Sequence, residues 1–94
     1  MAWDLRLRYT NVTLSPAEVA ANTTAEEIFA VSIARLDDAV AGINKPTAQA
    51  GLGIVGMRVS SEGNVAITFS NNTGSAITPT ASESYTFVLV TKQP

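Results

Sequence analysis

The sequence predicts an all-β domain, a small antiparallel β-sandwich or barrel. Three observations carry this prediction. Apolar residues recur with period two in short stretches, clusters of Gly, Pro, Asn, Asp and Ser separate those stretches, and a single short stretch has the layout of a helix start. Six short strands with turns between them leave jelly-roll and immunoglobulin-like orders both open. With neither a cysteine nor the usual core tryptophan, a true antibody-type domain is disfavoured.

The first stretch alternates Trp3, Leu5, Leu7 and Tyr9 with Asp4, Arg6, Arg8 and Thr10, which predicts a strand with one wet face. One or two helical turns are expected over residues 15–21, where Ser15 has the place of an N-cap, Pro16 of N1 and Glu18 of N3. Ile28, Phe29, Val31 and Ile33 predict a second strand over residues 28–33. A short third strand over 38–43 is closed by Asn44, Lys45 and Pro46, because proline lacks the amide that pairing needs.

The best hairpin joins residues 54–60 to 64–70. Val55, Met57 and Val59 are expected on one face of its first arm, and Val65, Ile67 and Phe69 on one face of its second. Between the arms Ser61, Glu62, Gly63 and Asn64 supply the turn, with Gly63 free to take a positive φ. The last strand, 84–91, is apolar on both sides, with Tyr85, Phe87 and Leu89 set against Val88 and Val90. Such a strand is expected to be buried on both faces, between two sheets or between its own sheet and another subunit. The connections 44–51 and 71–82 are long and rich in Asn, Thr, Ser, Ala and Gly, and loops of this kind carry binding surfaces.

Composition narrows the function. The 94 residues predict one domain, residues 1–94, whose modest core oligomerisation would supplement. Charged residues make up 15% of the chain, below the usual figure of about 25%, so the surface is expected either to be unusually apolar or to lie in part under a partner. The formal net charge is −2, and Arg6, Arg8, Arg35, Lys45, Arg58 and Lys92 are dispersed, which predicts no nucleic-acid partner. No segment approaches the roughly 20 apolar residues of a membrane span, so no membrane partner is expected. The start Met1-Ala2-Trp3-Asp4 lacks the pattern of a signal peptide, and synthesis in a cytoplasm without export is the simplest expectation.

No enzymatic function, cofactor or metal is expected. The chain has no histidine and no cysteine, so the commonest general base, the strongest neutral-pH nucleophile and the two best transition-metal ligands are missing. Glu26-Glu27 and Asp37-Asp38 are sequence neighbours, which a strand points to opposite faces. Asp37-Asp38 lacks the spacing of a calcium loop and reads as a solvated turn. The formal glycosylation sequons at Asn11, Asn22 and Asn71 read as ordinary turn and strand residues. Residues 51–56, Gly-Leu-Gly-Ile-Val-Gly, match the dinucleotide fingerprint in letters alone: a loop precedes them, a strand is expected to follow, and no acidic residue lies about 20 positions on. These glycines are instead expected to permit a tight turn, a bulge or the close approach of another backbone.

The run from Asn44 through Lys45, Pro46 and Thr47 to Val55, with Arg58-Val59-Ser60 and Ala66-Ile67-Thr68-Phe69 after it, resembles a family of small bacteriophage virion proteins. Residues 71–73, Ile77-Thr78-Pro79-Thr80, Glu83-Ser84-Tyr85-Thr86, Ser15-Pro16 and residues 19–23 carry the same resemblance, which spans roughly Leu14 to Val90. Residues 1–13 lie outside it, as an N-terminal strand or arm. The resemblance implies a β-sandwich subunit that self-associates, with trimers favoured. It implies a head decoration (cement) protein on the capsid exterior of a virion, binding the phage major capsid protein. It brings no catalytic residue with it. The alternative is a tail or fibre module for attachment or for receptor or glycan binding, for which Trp3, Tyr9 and Tyr85 are the available aromatics. Because strand context replaces the helix that a pyrophosphate needs, calorimetry with NAD or ATP is expected to be flat; micromolar heat of binding to either would refute the reading of residues 51–56.

Overall fold

The structure, a computed structural model, describes residues 4–93. Each period-two stretch is a strand: β1 (Asp4–Leu14), β2 (Thr23–Ala30), β3 (Ala39–Asn44), β4 (Leu52–Ser61), β5 (Asn64–Asn71) and β6 (Glu83–Gln93). They form two antiparallel sheets, ordered β1-β6-β3 and β2-β5-β4, packed on one core as a β-sandwich. The pairing is nested. β1 lies on β6 and β2 on β5, as if the chain were one long hairpin, while β3 turns onto β6 and β4 onto β5. This is the wrapping of a jelly roll with six strands in place of eight. It decides the strand order that periodicity left open.

The inner rows of the two central strands fill the core. Tyr85, Phe87 and Leu89 of β6 face Val65, Ile67 and Phe69 of β5, all buried. Alternation predicts both rows, and the Ser61-to-Asn64 turn forms with Gly63 at φ 77°. On the first arm of that hairpin the expectation fails. Ile54 pairs with Phe69 and Gly56 with Thr68, so Val55 is an extra bulged residue. Ile54, Met57 and Val59 therefore share a face, and Val55 points to solvent.

Residues 15–21 are not helical. The Ser15 hydroxyl accepts the amide of Ser82 at 2.9 Å instead of capping its own chain. Val19 exchanges both backbone hydrogen bonds with Ile77, at 2.8 and 3.0 Å, and its side chain is buried. A short apolar segment gains more from this bridge and the core than from a single unsupported helical turn. β2 also lies earlier than its β-formers predict, because it takes register from β5, Thr23 opposite Asn71 to Ala30 opposite Asn64. The register runs one residue further, with the Val31 amide on the carbonyl of Gly63 at 2.9 Å, and ends where the Gly63 amide turns to the carbonyl of Ala34 at 2.8 Å.

β1 shows its faces in an unexpected order. Val12 and Leu14 point inward, and the same parity brings Arg8 to the inner side. Leu5, Leu7 and Tyr9, the apolar row, stand outside at 67%, 71% and 73% exposure. Trp3 lies outside the described residues. Arg8 is held by Asp38, whose side chain is 2% exposed: their closest approach is 2.6 Å. Thr91 accepts from Arg8 Nε at 3.0 Å and donates to Asp38 at 2.8 Å, and the Arg35 amide donates to the same carboxylate at 3.1 Å. Asp38 is thus a buried ion-pair partner and not part of a solvated turn. Removing one member of such a pair strands the other. Asp38→Ala is expected to cost about 3–5 kcal/mol in urea unfolding, whereas Asp37→Ala, on an exposed side chain, should stay within about 0.5 kcal/mol.

Candidate functional site

The two polar loops, residues 44–51 and 71–82, meet at one end of the sandwich and clamp each other. Gln49 reads the second loop's backbone with both ends of its amide, donating to the Thr78 carbonyl at 3.1 Å and accepting the Thr80 amide at 3.0 Å. Asn71, buried at the end of β5, donates to the carbonyls of Val19 and Ser75 and accepts the Thr73 amide at 2.9 Å. That last bond is an Asx-turn, the local closure that asparagine offers at a loop start. Gly51 sits at φ 81° under Asn72, whose amide donates to its carbonyl at 3.0 Å, and any Cβ there would collide with the Thr73 methyl. Gly56 is the partner of the Val55 bulge. Two of the three fingerprint glycines therefore serve a tight turn with close approach and a bulge, in a loop-to-strand setting.

Glu83 anchors this end to β6. Its carboxylate accepts the Thr47 hydroxyl and lies 3.1 Å from Lys45 Nζ, which also donates to the Thr47 carbonyl at 2.7 Å. The Thr47 hydrogen bond lowers the Glu83 pKa below its ordinary value of 4.5, burial opposes it, and Lys45 adds to the lowering. Next along β6, the Tyr85 hydroxyl is buried and makes no hydrogen bond among the described residues. Burial first, then the charges of Glu83 and Glu27, push its pKa up to about 12. Beside the clamp a cleft of about 260 Å³ opens between β3 and β4, with Ile43, Leu52, Ile54 and Phe69 in its wall and Lys45 and Gln49 among its polar lining.

The second feature is a sheet face. Opposite partners in an antiparallel pair share a side. Leu7 with Val90, Tyr9 with Val88, and Ala39 with Val90 therefore form one outer surface on β1, β6 and β3. Along this surface the apolar residues of β1 are uncovered and the outer valines of β6 are half-exposed. The outer face of the other sheet is different. There Arg58 makes two hydrogen bonds to Glu26, at 2.9 and 3.0 Å, across the top of β5, lowering the Glu26 pKa and raising its own. Beneath this bridge Ala66 is fully buried.

The acidic neighbours separate as strand geometry requires. Glu26 faces outward to Arg58, and Glu27 accepts the Ala17 amide at 2.8 Å. Among the described residues no three His, Cys, Asp or Glu side chains are grouped as metal ligands. Of the aromatics available for glycan contact, Tyr9 is exposed and Tyr85 is buried, with Trp3 outside the described residues. The chain matches no protein-family model, no curated protein and no solved structure. The uncovered face is the feature that residue reasoning placed wrongly. Its signal was present in the two-sided β6 and the alternation of β1, but alternation does not say which row is inside.

Linkage gives the sign of the pH response. A carboxylate with a depressed folded pKa contributes stability above its unfolded pKa, and that stability is lost as pH falls from there through the folded value. Thr47→Val removes the main cause of the depression, so its stability should fall less steeply than that of the unaltered chain below about pH 4.5. Glu26 titrates in the same direction in both proteins. Urea midpoints taken between about pH 5 and pH 3 check this, and parallel curves would show that the clamp contributes nothing to acid stability.

Proposed function

We propose that this chain is a non-catalytic assembly subunit of a bacteriophage particle, a decoration protein that self-associates and binds the major capsid protein from outside the head. The uncovered apolar face of β1 and β6 is the observation that carries the assembly reading. In a domain with so few charges, a row of exposed Leu5, Leu7 and Tyr9 marks a surface meant for contact. The place on a phage head rests on the resemblance of the loop and hairpin sequences to small virion proteins. The clamped loops 44–51 and 71–82 suit the capsid-facing role. They present polar groups on a backbone already fixed by Gln49 and Asn71, so little ordering is left to be done on binding.

A cement protein spans subunits that would separate under the pressure of packaged DNA. Each contact can be modest, since an oligomer engages several capsid subunits and gains from effective concentration. The test adds purified protein to heads that lack it and heats them. Saturable binding at defined lattice positions, with a higher temperature of DNA release, is the expected result. Binding confined to tails, or none to heads at any concentration, transfers the reading to a tail or fibre module.

A further inference from the structure

We propose that β1 is the pairing edge of a symmetric dimer, in which the β1 strands of two copies join antiparallel about a twofold axis at Tyr9 and make one six-stranded sheet. The inference deepens the reading of the chain as an assembling subunit and rests on that part of it alone.

An open sheet edge is a template for another strand, and proteins blunt edges with bulges, short strands or charges. Three of the four edges here are blunted. β3 is 6 residues long and bulged between Val40 and Gly42. β4 is bulged twice, between Ile54 and Gly56 and between Val59 and Ser61. β2 carries Glu26 and Glu27 at its middle. β1 alone is long and regular: 11 residues without proline or glycine, in unbroken register with β6 from Asp4 opposite Gln93 to Leu14 opposite Glu83. Among the described residues its outward backbone groups make no hydrogen bond beyond those to β6.

The occupant that fits is a second β1. Its charged residues are only Asp4, Arg6 and Arg8, all in its first half. Full overlap of Asp4–Leu14 with its copy centres on Tyr9 and sets Leu7 opposite Asn11, Arg8 opposite Thr10 and Arg6 opposite Val12. No two like charges face each other. Sliding the strands toward their N-termini sets Arg8 against Arg8, or Arg6 against Arg8, which is unfavourable. In the full overlap the two Tyr9 rings meet at the axis and each Leu7 lies diagonal to the other copy's Tyr9, within reach of an aromatic ring. Backbone hydrogen bonds give the affinity, as in strand addition generally. The elementary oligomer is then a dimer, where the resemblance implies a trimer.

The experiment is light scattering with cysteine cross-linking, which is clean because the chain has no cysteine of its own. The expected mass is twice 9.8 kDa. Residues directly opposite in a ladder have Cα atoms about 4.5–5.5 Å apart, within disulfide range. Tyr9→Cys, at an exposed position, should therefore cross-link to a covalent dimer on mild oxidation. Asn11 in the two copies would be about 14 Å apart. Asn11→Cys alone should not cross-link, and mixed with Leu7→Cys it should. A single-chain mass at every concentration, a three-chain mass, a dimer that Tyr9→Cys does not cross-link, or equal cross-linking through Asn11→Cys overturns the proposal. Head binding is scored separately. A monomer that still binds heads removes the pairing and keeps the decoration reading, and a cross-linked dimer that ignores heads does the reverse.

Discussion

β6 is the strand on which the rest of the domain depends. It is central in its sheet, paired with β1 along one side and with β3 along the other, and it brings together segments from both ends of the chain. Its inner row, Tyr85, Phe87 and Leu89, is fully buried and supplies one wall of the core. Without that wall, β5 would have no apolar surface to pack against, and neither sheet could keep its inner face from water. Contacts so distant in sequence carry a large loop-closure cost before they give any return. A core this small meets that cost only when each inner position is well filled.

The two ends of the sandwich are closed in different ways. Near the start of β1 the closure is ionic, with Arg8, Asp38 and Thr91 joining β1, the loop before β3, and β6. At the far end it is a set of amide and hydroxyl contacts, in which Gln49, Asn71 and Thr47 hold two polar loops to each other and to Glu83. Buried polar groups persist when their partners are supplied, and here they are supplied mostly by backbone atoms of other segments. The result is a rigid polar tip at one end and, on one flank, a long apolar row that the fold itself leaves open. In the function proposed above, copies of the chain join through the apolar row and a different protein meets the polar tip.

How much of this could be read from the residues varies by element. Alternation located five of the six strands to within a few residues, and the Gly63 turn and the two-sided β6 are properties of local sequence. β2 and residues 15–21 went otherwise because their local signals are weak and their partners lie far away. Ser15 meets Ser82, Val19 meets Ile77, and Thr23 takes its register from Asn71. The Val55 bulge is likewise invisible locally, since one extra residue leaves the β-forming character of the stretch unchanged.

The sequence by itself determined that this protein is all-β, because period-two patterning and turn residues act over a few neighbours and need no partner to be legible. It also determined that β1 has one apolar and one mixed row. Which row faces inward was decided only by tertiary structure. Val12, Leu14 and the waiting carboxylate of Asp38 turn Arg8 inward and leave Leu5, Leu7 and Tyr9 outside. A strand has two faces of equal backbone geometry, and only the segments packed against it can tell them apart.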